Sequence, residues 1–135
     1  MNDFKHAELF QGRARLIPFA VRAESRGSLI PFNFGELPFA PRHAFIVRDV
    51  PAGAVRGRHA HRNALQLLVC LAGLASVELR DSASSETIVL DRPDIGLLIG
   101  AGLWAAQTYL SSGTIMLVFV SEPYDPQSYL DEPVA

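Results

Sequence analysis

Cysteine is all but missing from this chain: Cys70 is the only one among 135 residues, so no internal disulfide can form and nothing points to an oxidising compartment. It sits in the apolar run Leu65-Gln66-Leu67-Leu68-Val69-Cys70-Leu71, where a buried, inert thiol is expected. Long hydrophobic runs are also lacking. No stretch approaches the roughly 20 apolar residues that span a bilayer, and the first six residues carry no apolar leader core, so no membrane partner and a cytoplasmic location are expected. Charge of one sign is lacking too: 12 Lys and Arg face 14 Asp and Glu, a net charge of -2. That balance gives no electrostatic footprint for nucleic acid or an anionic membrane.

What is present is a globular composition, 49% hydrophobic and 19% charged, in a length that suits one domain. Residues 1–135 are therefore read as one unit, with 1–13 and 126–135 as peripheral segments. Short β-rich runs are cut by Gly, Pro, Asp and Ser every 8–12 residues or so, the pattern of a sandwich or barrel. The expected strands are 14–19, 28–32, 44–48, 65–71, 75–80, 87–90, 95–99, 104–109 and 114–120. Alternation at Ser76-Val77-Glu78-Leu79-Arg80 predicts a half-exposed strand. The nearly unbroken apolar run 65–71 predicts a strand covered on both faces. No sustained 3.6-residue period argues for a long helix, so the chain is read as all-β.

The most specific feature is Gly53-Ala54-Val55-Arg56-Gly57-Arg58-His59-Ala60-His61, followed by Gln66 and Gly73. Two histidines one residue apart on a strand point to the same face. If that face lines a hollow, two imidazoles converge where a proton can be taken and returned near neutral pH. The competing reading is a pair of hydrogen-bonded interior side chains. Arg58 should point away from His59 on a regular strand. His43 and His6, outside the motif, are expected to be exposed or structural.

This motif resembles the first motif of the cupins, whose last polar position is normally Glu. Gly100-Ala101-Gly102-Leu103-Trp104-Ala105 is similar to the second, with Ala105 where a third histidine is expected. A neutral amide at Gln66 and a methyl at Ala105 replace a carboxylate and an imidazole, and two ligands seldom hold a divalent ion tightly, so no metal is expected. From about Glu24 to Tyr129 the chain looks like the WxcM-like cupins, a family of nucleotide-sugar 3,4-ketoisomerases. Carrying the resemblance are Glu24-Ser25-Arg26-Gly27-Ser28-Leu29, the stretch Val50 to His61, Gln66 to Gly73, Ile95 to Gly100, Trp104 and Ser121-Glu122-Pro123-Tyr124-Asp125.

The resemblance implies an RmlC-like jelly-roll β-barrel, without metal or cofactor, acting as a homodimer on a dTDP-linked 4-keto-6-deoxyhexose. The ketone would move from C4 to C3 through an enediol-like intermediate, with His59 and His61 as the catalytic pair. Arg26 and Arg56 would meet the pyrophosphate, where a bidentate guanidinium fits, and solvent-facing charge is the competing reading. Gln66 would face the histidines. Trp104 and Tyr124 would stack on a base or sugar ring, with core packing as the alternative. The strand at 14–19 is a candidate edge for pairing across the dimer. Two features depart from the family pattern: the strand Ala44-Phe45-Ile46-Val47-Arg48 before the motif lacks the usual tyrosine, and Ala105 follows Trp104 where histidine is usual. A sugar-binding protein without activity, a nucleotide-sugar epimerase and a metal-dependent cupin therefore stay open as alternatives.

Overall fold

A computed structural model describes residues 8–134. The described residues run through thirteen strands: β1 (Glu8–Leu9), β2 (Ala14–Pro18), β3 (Arg22–Glu24), β4 (Gly27–Leu29), β5 (His43–Val47), β6 (Val55–His61), β7 (Gln66–Ala72), β8 (Ala75–Arg80), β9 (Ser85–Leu90), β10 (Ile95–Ile99), β11 (Trp104–Tyr109), β12 (Ile115–Val120) and β13 (Tyr129–Leu130). The helical turns among the described residues are three-residue 3-10 turns at 10–12, 34–36 and 126–128. No helix among these residues is long and apolar enough to cross a membrane.

Two antiparallel sheets pack face to face. One has the order β1-β2-β10-β7-β12-β5 and the other β13-β6-β11-β8-β9, with β3 and β4 as a separate hairpin. The expected barrel is thus a sandwich of two sheets, the form a jelly roll takes when its edges stay open. β2 pairs with β1 on one side and β10 on the other, so the segment 14–19 is not an edge; β1 and β5 are. The reason is the short Glu8–Leu9 strand, whose two residues carry no alternating pattern for a reader to find.

Burial follows side-chain alternation. On β8, Ala75, Val77 and Leu79 are fully buried while their neighbours are half-buried. β7 lies in the middle of the six-stranded sheet and both faces are covered, as its apolar run predicts. Leu68 and Cys70 join the core between the sheets. Leu67 and Val69 face outward, where Phe32, Leu37 and Phe39 close over them. Cys70 is fully buried, and burial pushes its thiol up from the ordinary range, which keeps it protonated and unreactive.

The turn from β7 to β8 needs Gly73, whose φ is +82° and where a Cβ would lie 2.6 Å from the Thr114 backbone. Thr114, buried beside it, donates its one hydroxyl proton to the Ser111 carbonyl at 2.7 Å and accepts from the Leu74 amide at 3.1 Å, so its hydroxyl is satisfied. Within the C-terminal segment 126–135, read as peripheral, two residues add an edge strand to the second sheet. Tyr129 pairs with His61 and Leu130 with Ala60. Asp125 caps the turn that leads there, its carboxylate accepting from the Gln127 amide at 3.0 Å and its carbonyl from the Ser128 hydroxyl at 2.7 Å. Pro126 occupies the first position of that turn, where its missing N–H is not needed. Residue 62 then donates its amide to the Ser128 carbonyl, and Val134 to that of Gly102.

Candidate active site

A hollow of about 180 Å³ opens between the two sheets. Its walls come from β6 (Arg56, Gly57, His59), β7 (Gln66, Leu68), β11 (Ala105, Gln107, Tyr109), β5 and β12, with Tyr129 of β13 at one side. His59 and His61 do share a face of β6. Their rings lie 4.9 Å apart, centroid to centroid, at 76°. Tyr129 lies against both, 4.5 Å from His59 at 35° and 4.5 Å from His61 at 62°.

The two histidines differ in what they meet. His59 lines the hollow, and burial lowers its pKa, opposed by a backbone hydrogen bond at Gly57 and the more distant charge of Asp131. The lowered pKa favours the neutral imidazole near pH 7. His61 does not line the hollow. It sits behind, 6% exposed, facing a much smaller space of about 10 Å³ shared with His43, Tyr124 and Tyr129. Burial above all, then the like charges at His59 and His43, pull its pKa to about 4. Its Nε2 is buried without a hydrogen-bond partner. His43, read as exposed or structural, donates its Nδ1–H to the Glu122 carbonyl at 2.6 Å and stacks on Phe45, while His6 lies outside the described residues.

Arg56 reaches the same hollow because β6 is not regular. Against β11, Ala105 pairs with His59 and Ala106 with Gly57, leaving Arg58 as an extra residue in a β-bulge. Gly57 and Arg58 have φ values of +88° and +64°. The bulge lets residues 56 and 59, which plain alternation would put on opposite faces, share one wall. Arg58 itself turns to the outer face of the sheet, as expected.

Gln66, 9% exposed, is among the residues that line the hollow. Three other expected residues are elsewhere. Arg26 is on the β3–β4 hairpin, its side chain 89% exposed and 3.6 Å from Glu24, a solvated pair that does not border the hollow. Trp104 faces the other way on β11, one residue out of phase with Ala105; it packs with Ala60, Ala106 and Leu130 under the Arg80 guanidinium, 3.8 Å from its ring. Tyr124 is 67% exposed, its ring 6.2 Å from that of Tyr129, outside the hollow and beside the space behind His61.

Sequence reading missed Gln107 and Tyr129. Gln107 had a usable signal, since it shares the parity of Ala105 on β11. Tyr129 had none, because its place depends on where the C-terminal segment docks. Among the described residues no group of three or more His, Cys, Asp or Glu side chains comes together as a metal site.

Two facing antiparallel sheets with a hollow between them and the His59 imidazole on its wall define a jelly-roll protein of the RmlC-like cupin class. The fold matches the Mycobacterium tuberculosis rmlC epimerase at a TM-score of 0.78 over 90% of this chain and 70% of that one, at 18% identity, a likeness of fold alone. The chain belongs to the WxcM-like, C-terminal family (FdtA), whose model matches residues 13–134. It is 34% identical over 117 residues, 86% of this chain and 84% of the relative, to the TDP-4-oxo-6-deoxy-alpha-D-glucose-3,4-oxoisomerase of Aneurinibacillus thermoaerophilus. It also matches the sugar 3,4-ketoisomerase QdtA of Thermoanaerobacterium thermosaccharolyticum, solved in complex with TDP, at 30% identity and a TM-score of 0.85 over 89% of this chain and 88% of that one.

Proposed function

We propose that this chain is an isomerase that moves the ketone of a TDP-linked 6-deoxyhexose between C4 and C3, with His59 as the base that works on carbon. The observation that carries the reading is a neutral, half-buried imidazole on the wall of a hollow, in a chain 34% identical to a TDP-sugar 3,4-oxoisomerase. At about 180 Å³ the hollow is smaller than the roughly 300–1,000 Å³ that drug-sized ligands occupy. It suits a single sugar ring, with the diphosphate and base lying outside the mouth. Arg56, exposed at its edge, offers the guanidinium for the diphosphate.

His59 takes the C3 proton, and the C3–H electrons form the C3=C4 bond as the C4=O pair moves onto O4 and is protonated. The enediol collapses when O3 loses its proton to form C3=O and the C3=C4 pair takes a proton from the same imidazole at C4. His61, packed behind, fixes the ring of His59 rather than meeting the sugar. Gln66 and Gln107 supply amide donors and acceptors for hydroxyl groups of the sugar. No step in this scheme calls for a metal or an organic cofactor. The reading includes a homodimer and a cytoplasmic setting, supported by the free edge of β5, where Ile46 is 56% exposed, and by the lone buried thiol.

The test is incubation with TDP-4-keto-6-deoxyglucose in heavy water, followed by mass and NMR analysis. The 3-keto product should form with deuterium from solvent on carbon, and His59→Asn should slow this by about 100-fold or more. Binding of the sugar nucleotide with neither product nor exchange would turn the protein into a sugar-binding cupin and overturn the proposal.

A further inference from the structure

An isomerisation between adjacent carbonyl and hydroxyl carbons moves two protons, not one. One passes from C3 to C4; the other must leave O3 and arrive on O4. The C3–H bond breaks perpendicular to the carbonyl plane, where it overlaps the π system, while the oxygen lone pairs lie in that plane. A single imidazole above the ring cannot serve both directions at once, so a second proton carrier must sit at the ring's edge.

We propose that the Tyr129 phenol, brought in by the C-terminal strand β13, is this second carrier and is a catalytic residue of the site. The inference rests on the keto-sugar reading above. Tyr129 lines the same hollow as His59, with ring centroids 4.5 Å apart. The residue is 37% exposed, which places it toward the mouth rather than the floor. Among the described residues no protein group makes a hydrogen bond with its hydroxyl, so nothing built into the fold consumes that donor. Its position is set by two strand pairings, Tyr129 with His61 and Leu130 with Ala60, and by the Asp125 cap before them.

The other polar groups are poor candidates. Tyr109 also borders the hollow, but it stands four residues along β11 from Ala105, the residue paired with His59, or about 13 Å at ~3.3 Å per residue. It is also 1% exposed and part of the core. His61 does not reach the hollow. The amides of Gln66 and Gln107 have no transferable proton, and a guanidinium such as Arg56 does not give its proton up. Tyr129 is left as the phenol within reach of the ring that His59 faces. Burial, and then Tyr124, raise its pKa, so the resting phenol carries the proton that the first step needs.

The bookkeeping of bonds closes without any further reactant. As the C3–H bond breaks toward His59, the C4=O π pair moves onto O4 and takes the phenol proton. The result is a neutral enediol, an imidazolium at His59 and a phenolate at Tyr129. In the second half the phenolate removes the O3 proton, the O3–H electrons form C3=O, and the C3=C4 pair takes the His59 proton at C4. Both side chains return to their starting states.

The experiment is Tyr129→Phe, assayed for product and for carbon-bound deuterium alongside the wild-type chain and His59→Asn. Phenylalanine keeps the ring that packs on both imidazoles and removes only the hydroxyl. The expected result is a kcat about 100-fold lower with KM within about threefold of wild type, since the hydroxyl acts in the transition state. Should Tyr129→Phe fail to fold, Tyr129→3-fluorotyrosine keeps the shape and makes the phenol more acidic. The alkaline limb of its kcat profile should then move to lower pH. His59 and His61 face this phenol from β6, Tyr124 from the preceding segment, and His43 and Asp125 across the space behind. A wild-type kcat in Tyr129→Phe, or an unmoved limb in the fluorinated chain, overturns the role of Tyr129 while the isomerase reading stands. Absence of conversion by the wild-type chain removes both.

Discussion

His61 and His59 are separated by one residue, yet they occupy different electrostatic worlds. His59 borders a hollow open to solvent, and burial favours its neutral form. His61 is buried with an unpartnered Nε2, and its pKa of about 4 makes it neutral throughout the physiological range. The consequence for stability has a definite sign. An unfolded histidine titrates near 6.5 whereas the folded one resists protonation until about pH 4, so the unfolded state binds more protons between these values. Stability due to this group is present above pH 6.5 and is lost as pH falls toward 4. At about 1.4 kcal/mol per pKa unit, the loss is roughly 3 kcal/mol. Urea midpoints measured from pH 7 to pH 4.5 should fall steeply for the wild-type chain and less steeply for His61→Phe. Parallel curves would mean that His61 is not held neutral by the fold.

At the scale of the element, the site depends on an irregular strand. A regular β6 would aim Arg56 and His59 at opposite faces; the extra residue Arg58 brings both to one wall. Gly57 makes this possible at a φ of +88°, and a Cβ there would come within 2.7 Å of the Gln107 amide oxygen and 3.1 Å of the Ala105 carbonyl oxygen. The Gln107 side chain can swing away, but the carbonyl is backbone. Gly57→Ala should therefore cost about 1–3 kcal/mol, read as a lower melting temperature. It should also lower conversion of the keto-sugar, because relief of the strain moves Arg56 and His59 relative to each other. A variant with wild-type melting and turnover would show that the bulge is not needed. β13 adds a second lesson at this scale: two paired residues are enough to seat Tyr129 when a capped turn and the Arg62 amide fix the chain on its N-terminal side.

The molecule as a whole has two apolar layers with different duties. The inner one lies between the sheets, next to the hollow; the outer one lies between the six-stranded sheet and the segment carrying Phe32, Leu37 and Phe39. Leu67 belongs to the outer layer and is fully buried, while Gln66 and Leu68 on either side of it face the hollow. Stability and chemistry can thus be separated along one strand. Leu67→Ala should reduce stability by about 2–5 kcal/mol in denaturant titrations. Its folded fraction should turn over the keto-sugar at nearly the wild-type rate, and a large fall in kcat would show that the outer layer shapes the hollow after all.

The order of residues by itself determined the all-β class, most strand positions and the shared face of His59 and His61, because alternation has a fixed period of two and needs no knowledge of partners. It also determined that β7 is covered twice, since a solvent-facing strand would not be apolar throughout. Only the tertiary structure decided that Trp104 faces away from the hollow, that Arg26 is in solvent, that Arg56 joins His59 across a bulge, and that Tyr129 borders the hollow. Each of these depends on register or docking between segments far apart in the chain. A one-residue change of register turns a side chain to the other face, and local composition carries no record of it.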